Sequence, residues 1–441
     1  MIRSSTALRA LALAGAASVL LAACSTASPS DDASSSSSSA KADPAAKCEV
    51  GTPSTDPFAI GTMLPLTGTL AYLGPPAIAG ANLAISDINA AGGVLDQPAE
   101  ISTSTDSGDS NDMTVSSNAA TQLIDAKVPV VLGAESSSVT LNVVDQLTSN
   151  CIIEISPANT ASSLSGYSSY YYRTAPPDSV QGSALGQQIT ADGNANVAFL
   201  VFNDTYGTGL RDSTQTSIES SGGTVVYGGT GKGEEFPPGQ TTFSSEVSAA
   251  IAAEPDAIVI LAFDETKSIV PELKSQGWDM SKVYMSDGNT ADYSADFEPG
   301  TLAGAKGTIP GADASADFKS KLVAGYKASE GGDLADFSYA AESYDAVILT
   351  ALAAQAGGGT DAGTIQANMA AVSGTDGGTS CTTYADCKTA LDAGDDIHYT
   401  GPSGIGSFND NNDPSSASIG VYTFDADNKP VYQTGIEGKV E

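Results

Sequence analysis

Histidine is nearly absent: the 441-residue chain has one, His398, set in a Gly- and Asp-rich stretch near the C-terminus. A hydrolase needs a nucleophile with a positioned base, and a lone distant histidine does not supply one. No Gly-x-Ser-x-Gly elbow and no Walker-type phosphate loop occur, so two common catalytic frames are missing. Asp395 and Asp396 are adjacent in a polar run, where solvation accounts for them. Without clustered histidines or a Cys-x-x-Cys, a zinc site is not expected. The acidic turn at 410–413 lacks the glutamate that ends a calcium loop. The expectation is therefore no catalytic residue, no cofactor and no metal. Basic residues are also scarce, 18 Lys and Arg against 52 Asp and Glu, for a formal charge of −34. Such a surface repels nucleic-acid phosphates and anionic lipid headgroups, which excludes nucleic acid as a partner. Beyond residue 23 no run is long and apolar enough to cross a membrane.

What is there begins with an export pattern. Arg3 and Arg9 form a positive start, and residues 10–23 are apolar but short for a bilayer span. They end in Leu21-Ala22-Ala23-Cys24, which resembles the lipobox of bacterial lipoproteins. The resemblance implies a signal peptide over 1–23, acylation of Cys24, and a mature chain anchored on the outer face of the cell membrane. Residues 24–56 are mostly Ser, Ala, Asp and Pro, with six serines at 34–39. This composition buries too little apolar surface to order itself and reads as a disordered tether, holding the remainder about 30 Å from the lipid. About 385 residues follow, enough for two large lobes. With Cys24 lipidated, four cysteines remain, and an exported chain with an even count suggests two disulfides. Three connectivities are open. Cys381 and Cys387 bracket a short loop and form the expected local pair, which leaves Cys48 with Cys151.

From Phe58 short apolar runs alternate with amphipathic segments. Strands are expected at 58–64, 100–105, 128–134 and 151–156, with helices at 75–91, 112–127 and 139–149 between them. In the first helix Ile78, Ala81, Ile85 and Ile88 recur at three and four residues, and Gly92-Gly93 ends it. A second series follows: strands at 197–202, 224–227, 257–263 and 282–286, and helices at 180–190, 207–220, around Phe243, Val247 and Ile251, and at 265–276. Two such series predict two doubly wound α/β lobes. Beyond Pro310 helical stripes dominate (Phe318, Leu322, Tyr326; Tyr344, Val347, Ile348, Leu352), and strand-like runs return at 419–424 and 429–432.

Seven segments, in order, carry a resemblance to a known family: 60–68 (IGTMLPLTG), 80–93 (GANLAISDINAAGG), 131–138 (VLGAESSS), 155–160 (ISPANT), 171–175 (YYRTA), 203–210 (NDTYGTGL) and 401–410 (GPSGIGSFND). The chain resembles the extracellular solute receptors of ABC importers, in particular the branched-chain amino-acid-binding group with the type I periplasmic-binding fold. The likeness runs from Phe58 to about Tyr432. It implies two Rossmann-like lobes joined by three crossings, with the ligand in the cleft. Lobe one would be 57–176 plus 311–400, and lobe two 177–310 plus 401–441.

In doubly wound sheets ligands sit beyond the carboxyl ends of the strands. Ser136 and Ser137 follow one strand and open a helix, whose free amides and hydroxyls make a carboxylate cradle; helix capping is the competing reading. The resemblance assigns the Ala158 carbonyl and the Thr160 hydroxyl and amide to the ligand's ammonium and carboxylate, although a polar turn would look alike. It assigns Tyr206, before Gly-x-Gly, a closing role over the ligand. Phe263 stands where relatives often place tyrosine, a departure that bears on ligand identity. An α-amino group needs a negative partner in a desolvated cleft; the resemblance implies an acid after the next lobe-two strand, and Asp287 is the nearest candidate. Tyr72 either walls the pocket or is an ordinary loop residue. The implied mechanism is lobe closure around a small polar solute, foremost an aliphatic or branched-chain amino acid, by a monomer that then docks on a membrane permease. An amide, urea or a small aromatic acid as ligand, and a sensory role for the same fold, remain open.

Overall fold

The computed structural model describes residues 42–440. The expected leader, Cys24 and the serine run lie outside the described residues. The chain opens with β1 (Ala59–Leu64), α1 (Gly74–Ala90), β2 (Glu100–Asp106), α2 (Met113–Ala126), β3 (Val130–Gly133), α3 (Ser137–Ser149), β4 (Ile153–Ser156) and β5 (Tyr171–Arg173). The alternation resumes with α4 (Asp178–Ala191), β6 (Asn196–Val201), α5 (Thr205–Ser220), β7 (Thr224–Tyr227), α6 (Ser244–Ala252), β8 (Ala257–Leu261), α7 (Thr266–Ser275), β9 (Val283–Met285) and β10 (Lys306–Pro310). Then come α8 (Ala316–Ser329), α9 (Ala340–Gly357), α10 (Ala362–Val372), β11 (Thr379–Cys381), α11 (Tyr384–Ala393), β12 (Ile397–Tyr399), β13 (Ser416–Phe424) and β14 (Pro430–Lys439).

The inner strands are buried on both faces, as parallel strands covered by helices must be: β3, β4 and β8 are buried at every position. β2 alternates instead, because it lies at an edge. The first sheet runs β2-β1-β3-β4-β5, all parallel. The second runs β14-β13-β10-β9-β8-β6-β7, and its parallel part repeats the same winding. Each sheet reverses its strand order once, between β1 and β3 and between β6 and β8, and so opens a crevice at those strands' carboxyl ends. The hairpin β13–β14 extends the second sheet in antiparallel fashion. Helices α8–α11 return to the first half, where α9 packs against α1, α10 and α11. The chain thus passes between halves after β5, after β10 and between β12 and β13.

Two details depart from the sequence pattern. The buried face of α1 is formed by Ala77, Gly80, Ala81, Ala84 and Ile88, while Ile78 and Ile85 are only partly covered. Close packing against α9 is the reason: a Cβ on Gly80 would come within 2.2 Å of the Ala340 carbonyl oxygen. The second departure concerns the tether expected over 24–56, which ends sooner. Ala45 is 2% exposed within the first-half core. The Asp43 carboxylate accepts from the Ser168 hydroxyl at 2.7 Å and the Ser169 amide at 3.0 Å. The Ser54 amide donates to Asp361 at 2.9 Å. Residues 42–56 are therefore tied to the body at Asp43, Ala45 and Ser54, and at Cys48 by a disulfide to Cys151.

The disulfides are Cys48–Cys151 and Cys381–Cys387. The first closes 103 residues and the second 6. Since a crosslink acts largely on the unfolded chain, the longer loop gains more. Replacing Cys48 and Cys151 by serine is expected to cost about 4–5 kcal/mol, and replacing Cys381 and Cys387 about 2 kcal/mol. Denaturant titration of the two double variants checks the order; equal losses, or a greater loss from the short loop, would contradict it.

Candidate functional site

The loops at the carboxyl ends of β1, β3 and β4 face those of β6, β8 and β9. On the first side Ser156, the last residue of β4, holds the loops in register. Its hydroxyl donates to the Ala134 carbonyl at 2.6 Å and accepts from the Asn159 amide at 2.9 Å. The Asn159 side chain donates to the Glu135 carbonyl at 2.8 Å. Beneath, fully buried Arg173 donates to the carbonyls of Asn159 at 3.3 Å and Ala161 at 3.0 Å and pairs with Asp413 at 2.6 Å. Thr160 is thus flanked by two carbonyls pinned by one guanidinium. Segment 410–413, read as a turn, is where this salt bridge is anchored.

Ser136 stands at the N-cap of α3 in extended geometry, yet makes no capping bond, and its buried hydroxyl has no partner. The simple capping reading of Ser136 is thereby set aside. Ser137 accepts from the Ala161 amide at 3.2 Å. The first-turn amides of α3 have no partner within the helix. Glu135, which precedes them, is 2% exposed with both carboxylate oxygens unpaired.

On the second side Asp204 caps α5 by accepting from the Tyr206 amide at 3.0 Å. The Tyr206 ring stacks on Phe263, with centroids 5.6 Å apart and planes 12° apart. Gly288 makes room for this pair: a Cβ there would meet the Phe263 ring at 2.9 Å and the Tyr206 ring at 3.0 Å. The Tyr206 hydroxyl donates to Asp287 Oδ1 at 2.7 Å and accepts from the Gly288 amide at 3.1 Å. Gln181 Nε2 donates to the same Oδ1 at 2.8 Å, and the Tyr339 hydroxyl to Oδ2 at 2.6 Å. The Tyr72 hydroxyl donates to the Asp287 carbonyl at 3.0 Å. Tyr72 and Tyr339 belong to the first half, so Asp287 is bonded from both. Burial pushes its carboxyl up, and the bonds from Tyr339, Tyr206 and Gln181 pull it back.

The structure thus gathers Ser136, Ser137, Ala158, Tyr206, Phe263 and Asp287 around one cavity. Its room for the centre of a water-sized sphere is about 10 Å³, the space of about one water. Tyr72 touches it through Asp287. Thr160 stands back from the wall, fully buried, its carbonyl accepting from the Asp178 amide at 2.6 Å. Leu70, Leu73, Glu135, Gly288 and Tyr339 complete the lining and are absent from the sequence-based set. Tyr339 carries a left-handed backbone, φ 59°, at the start of α9, a strained conformation that concentrates at functional sites. No lysine, arginine or histidine lines the cavity. His398 lies in β12 against Gly374, apart from the site. Among the described residues no cluster of three or more His, Cys, Asp or Glu suits a metal ion.

Around this site burial raises further carboxyls: Glu154, Asp178 and Glu342 to about 8, and Asp345 to about 6. Their folded-state pKa values lie above the ordinary ones, so the folded chain retains protons that the unfolded chain would release. Their contribution is complete below the ordinary carboxyl range and is lost as pH rises through about 6 to 8. Half-buried carboxylates held low by hydrogen bonds, such as Asp43 and Asp361, act oppositely and lose theirs in stronger acid. The melting temperature is therefore expected to be highest at mildly acid pH, about 5, and to fall toward about 9. A pH series of thermal unfolding checks this; a flat or rising profile over that interval would contradict it.

Residues 57–393 match a family described as periplasmic binding protein. A Leu/Ile/Val-binding protein homolog 1 from Brucella abortus is 27% identical over 310 residues, 68% of this chain and 79% of that protein. A homolog 3 from Brucella melitensis is 26% identical over 201 residues, 45% of this chain and 52% of that protein, so this match spans about half of the relative. Among solved structures, the branched-chain amino acid transporter substrate binding protein LivJ from Streptococcus pneumoniae, in complex with isoleucine, superposes with a TM-score of 0.69 at 22% identity, over 87% of this chain and 100% of that one. A solute binding protein from R. palustris in complex with benzoate gives 0.68 at 17% identity, over 87% and 98%. With two doubly wound halves meeting across such a cleft, the chain belongs to the periplasmic binding protein family and has its type I fold.

Proposed function

We propose that the chain is the extracytoplasmic substrate-binding protein of an ABC transporter, capturing a small amino acid of aliphatic frame by lobe closure and delivering it to a membrane permease. On this reading it acts as a monomer, performs no chemistry, and is held to the outer face of the membrane through acylated Cys24. The lobes would be 57–176 with 311–400, and 177–310 with 401–441.

One observation carries the amino-acid reading: an acceptor and a donor set face each other across the cleft. Asp287 is the acceptor for an ammonium, in a place where a desolvated cation needs a carboxylate. The uncapped Ser136 hydroxyl and the amides opening α3 are donors for a carboxylate. Relatives named as Leu/Ile/Val-binding proteins, and the fold shared with an isoleucine complex, support the same class. The hydroxyls of Tyr206 and Tyr339 and the Gln181 amide now occupy the Asp287 carboxylate, so an entering ammonium competes with neutral hydrogen bonds by offering a charge-assisted one. A second reading, an aromatic acid, is favoured by the stacked Tyr206 and Phe263 and by the benzoate complex of one relative in fold. Two carboxyls and no base in the same cavity weigh against an anion without an ammonium.

Thermal shift of the purified protein against a panel of amino acids, benzoate and urea tests this. An amino acid at about a hundred times its Kd is expected to add about 2.7 kcal/mol of stability, and benzoate and urea nothing. Asp287→Ala is expected to remove the shift. A shift with benzoate or urea and none with any amino acid would overturn the proposal.

A further inference from the structure

Glu135 has no structural use that the fold makes visible. Its main chain is fixed, with the carbonyl taken by Asn159 and the next residue at the N-cap of α3. Its side chain, by contrast, makes no hydrogen bond and no ion pair, although it is almost wholly buried and lines the cavity. Asp345, buried in the fold, finds partners in Tyr399 at 2.7 Å and the Ser403 amide at 3.0 Å; Glu154 and Asp178 are buried without partners as Glu135 is, but neither of them lines the cavity. An unpaired carboxyl in a binding cleft is a group whose partner arrives with the ligand.

The chemistry of that partner follows from the surroundings. Besides Glu135 the only carboxyl lining the cavity is that of Asp287, whose oxygens already accept three hydrogen bonds. Burial pushes the Glu135 carboxyl well up, and Asp336, in the wall of the adjoining cavity of about 330 Å³ that also touches Tyr339, pushes it further the same way. An anionic side chain would be repelled from this corner, and a purely aliphatic one would leave both Glu135 oxygens bare. A nitrogen cation satisfies both oxygens and favours their ionised form. Resting on the amino-acid reading above, we infer that Glu135 is the side-chain subsite of the cleft and that the preferred solute is a basic amino acid, its second cationic nitrogen bound by Glu135.

Isothermal titration of the purified protein with ornithine, lysine, glutamine, norleucine, glutamate and cadaverine tests this. The basic amino acids are expected to bind at least about tenfold more tightly than norleucine, with glutamate the weakest. Glu135→Gln, isosteric and uncharged, is expected to erase that advantage, bringing ornithine and lysine to within about twofold of norleucine on the same variant. Norleucine or glutamine binding the wild-type protein as tightly as ornithine and lysine would overturn the subsite and leave the amino-acid reading standing. Binding of cadaverine, lost in Glu135→Gln, with no amino acid bound would keep the subsite and overturn the amino-acid reading. Heat from none of the six would overturn both.

Discussion

A carboxylate buried where two halves of a molecule meet must find its hydrogen bonds on both sides, and the cleft is organised around that requirement at Asp287. Tyr206 and Gln181 bind it from the second half, Tyr339 from the first, and Tyr72 takes its carbonyl. Separation of the halves exchanges the Tyr72 and Tyr339 bonds for bonds to water. Neutral hydrogen bonds contribute only about 0.5–1.5 kcal/mol each on balance, so these two bonds add little to closure. A group offering Asp287 a charge-assisted bond within the cleft then tips the balance toward closure. On the proposed reading, the residue that takes the solute's ammonium is also the one bonded from both lobes.

This arrangement requires that everything around Asp287 be stiff. Arg173 provides stiffness below the first-half loops, tying two carbonyls and reaching Asp413 in a segment 240 residues away. Breaking such a buried pair leaves an uncompensated charge, so the base of the site is costly to deform. Glycine provides the closeness. Gly288 lets the Tyr206 and Phe263 rings press against the backbone beside Asp287, and Gly80 brings α1 against the start of α9, which carries Tyr339. The left-handed backbone of Tyr339 aims its hydroxyl across the cleft.

Much of this is legible in the sequence, for a physical reason. Parallel strands covered on both faces must be apolar throughout, and glycine pairs follow α1 and α5, so most runs from Phe58 to Ser286 can be placed without coordinates; the three-residue β5 is too short to be seen. Ser136, Ala158, Tyr206, Phe263 and Asp287 follow because they stand directly after such runs. β10 (KGTIP) and the region of α10, β11, α11 and β12 are not legible, since Ala, Gly, Thr and Asp there carry no strong periodicity. The α1 stripe misleads because close helix packing selects small residues over large ones. Tyr339 and Gln181 reach Asp287 from 52 and 106 residues away, the one at a helix start and the other inside a helix that looks polar there. Nothing local marks either. Glu135 is visible in a quoted segment, but only burial separates it from an ordinary polar loop residue.

Charge connects the site to the whole molecule. A chain of formal charge −34 sets up a negative potential that concentrates cations near its surface and thins out anions. Screening confines that field to about 8–10 Å at physiological ionic strength, so it acts on a solute at the cleft mouth and fades in solution beyond. Inside, where the dielectric is low, burial pushes the carboxyls of Glu135, Asp287 and nearby Asp336 up, and with no base among the cavity's lining residues an arriving cation is the group that favours their ionised form. A zwitterion with no further charge gains little from this field, because its ammonium and carboxylate nearly cancel. A solute with net positive charge gains at the surface, at the mouth and at the subsite alike. Bulk acidity on its own serves solubility; acidity that persists into a buried cavity, at a carboxyl with no partner, is selective.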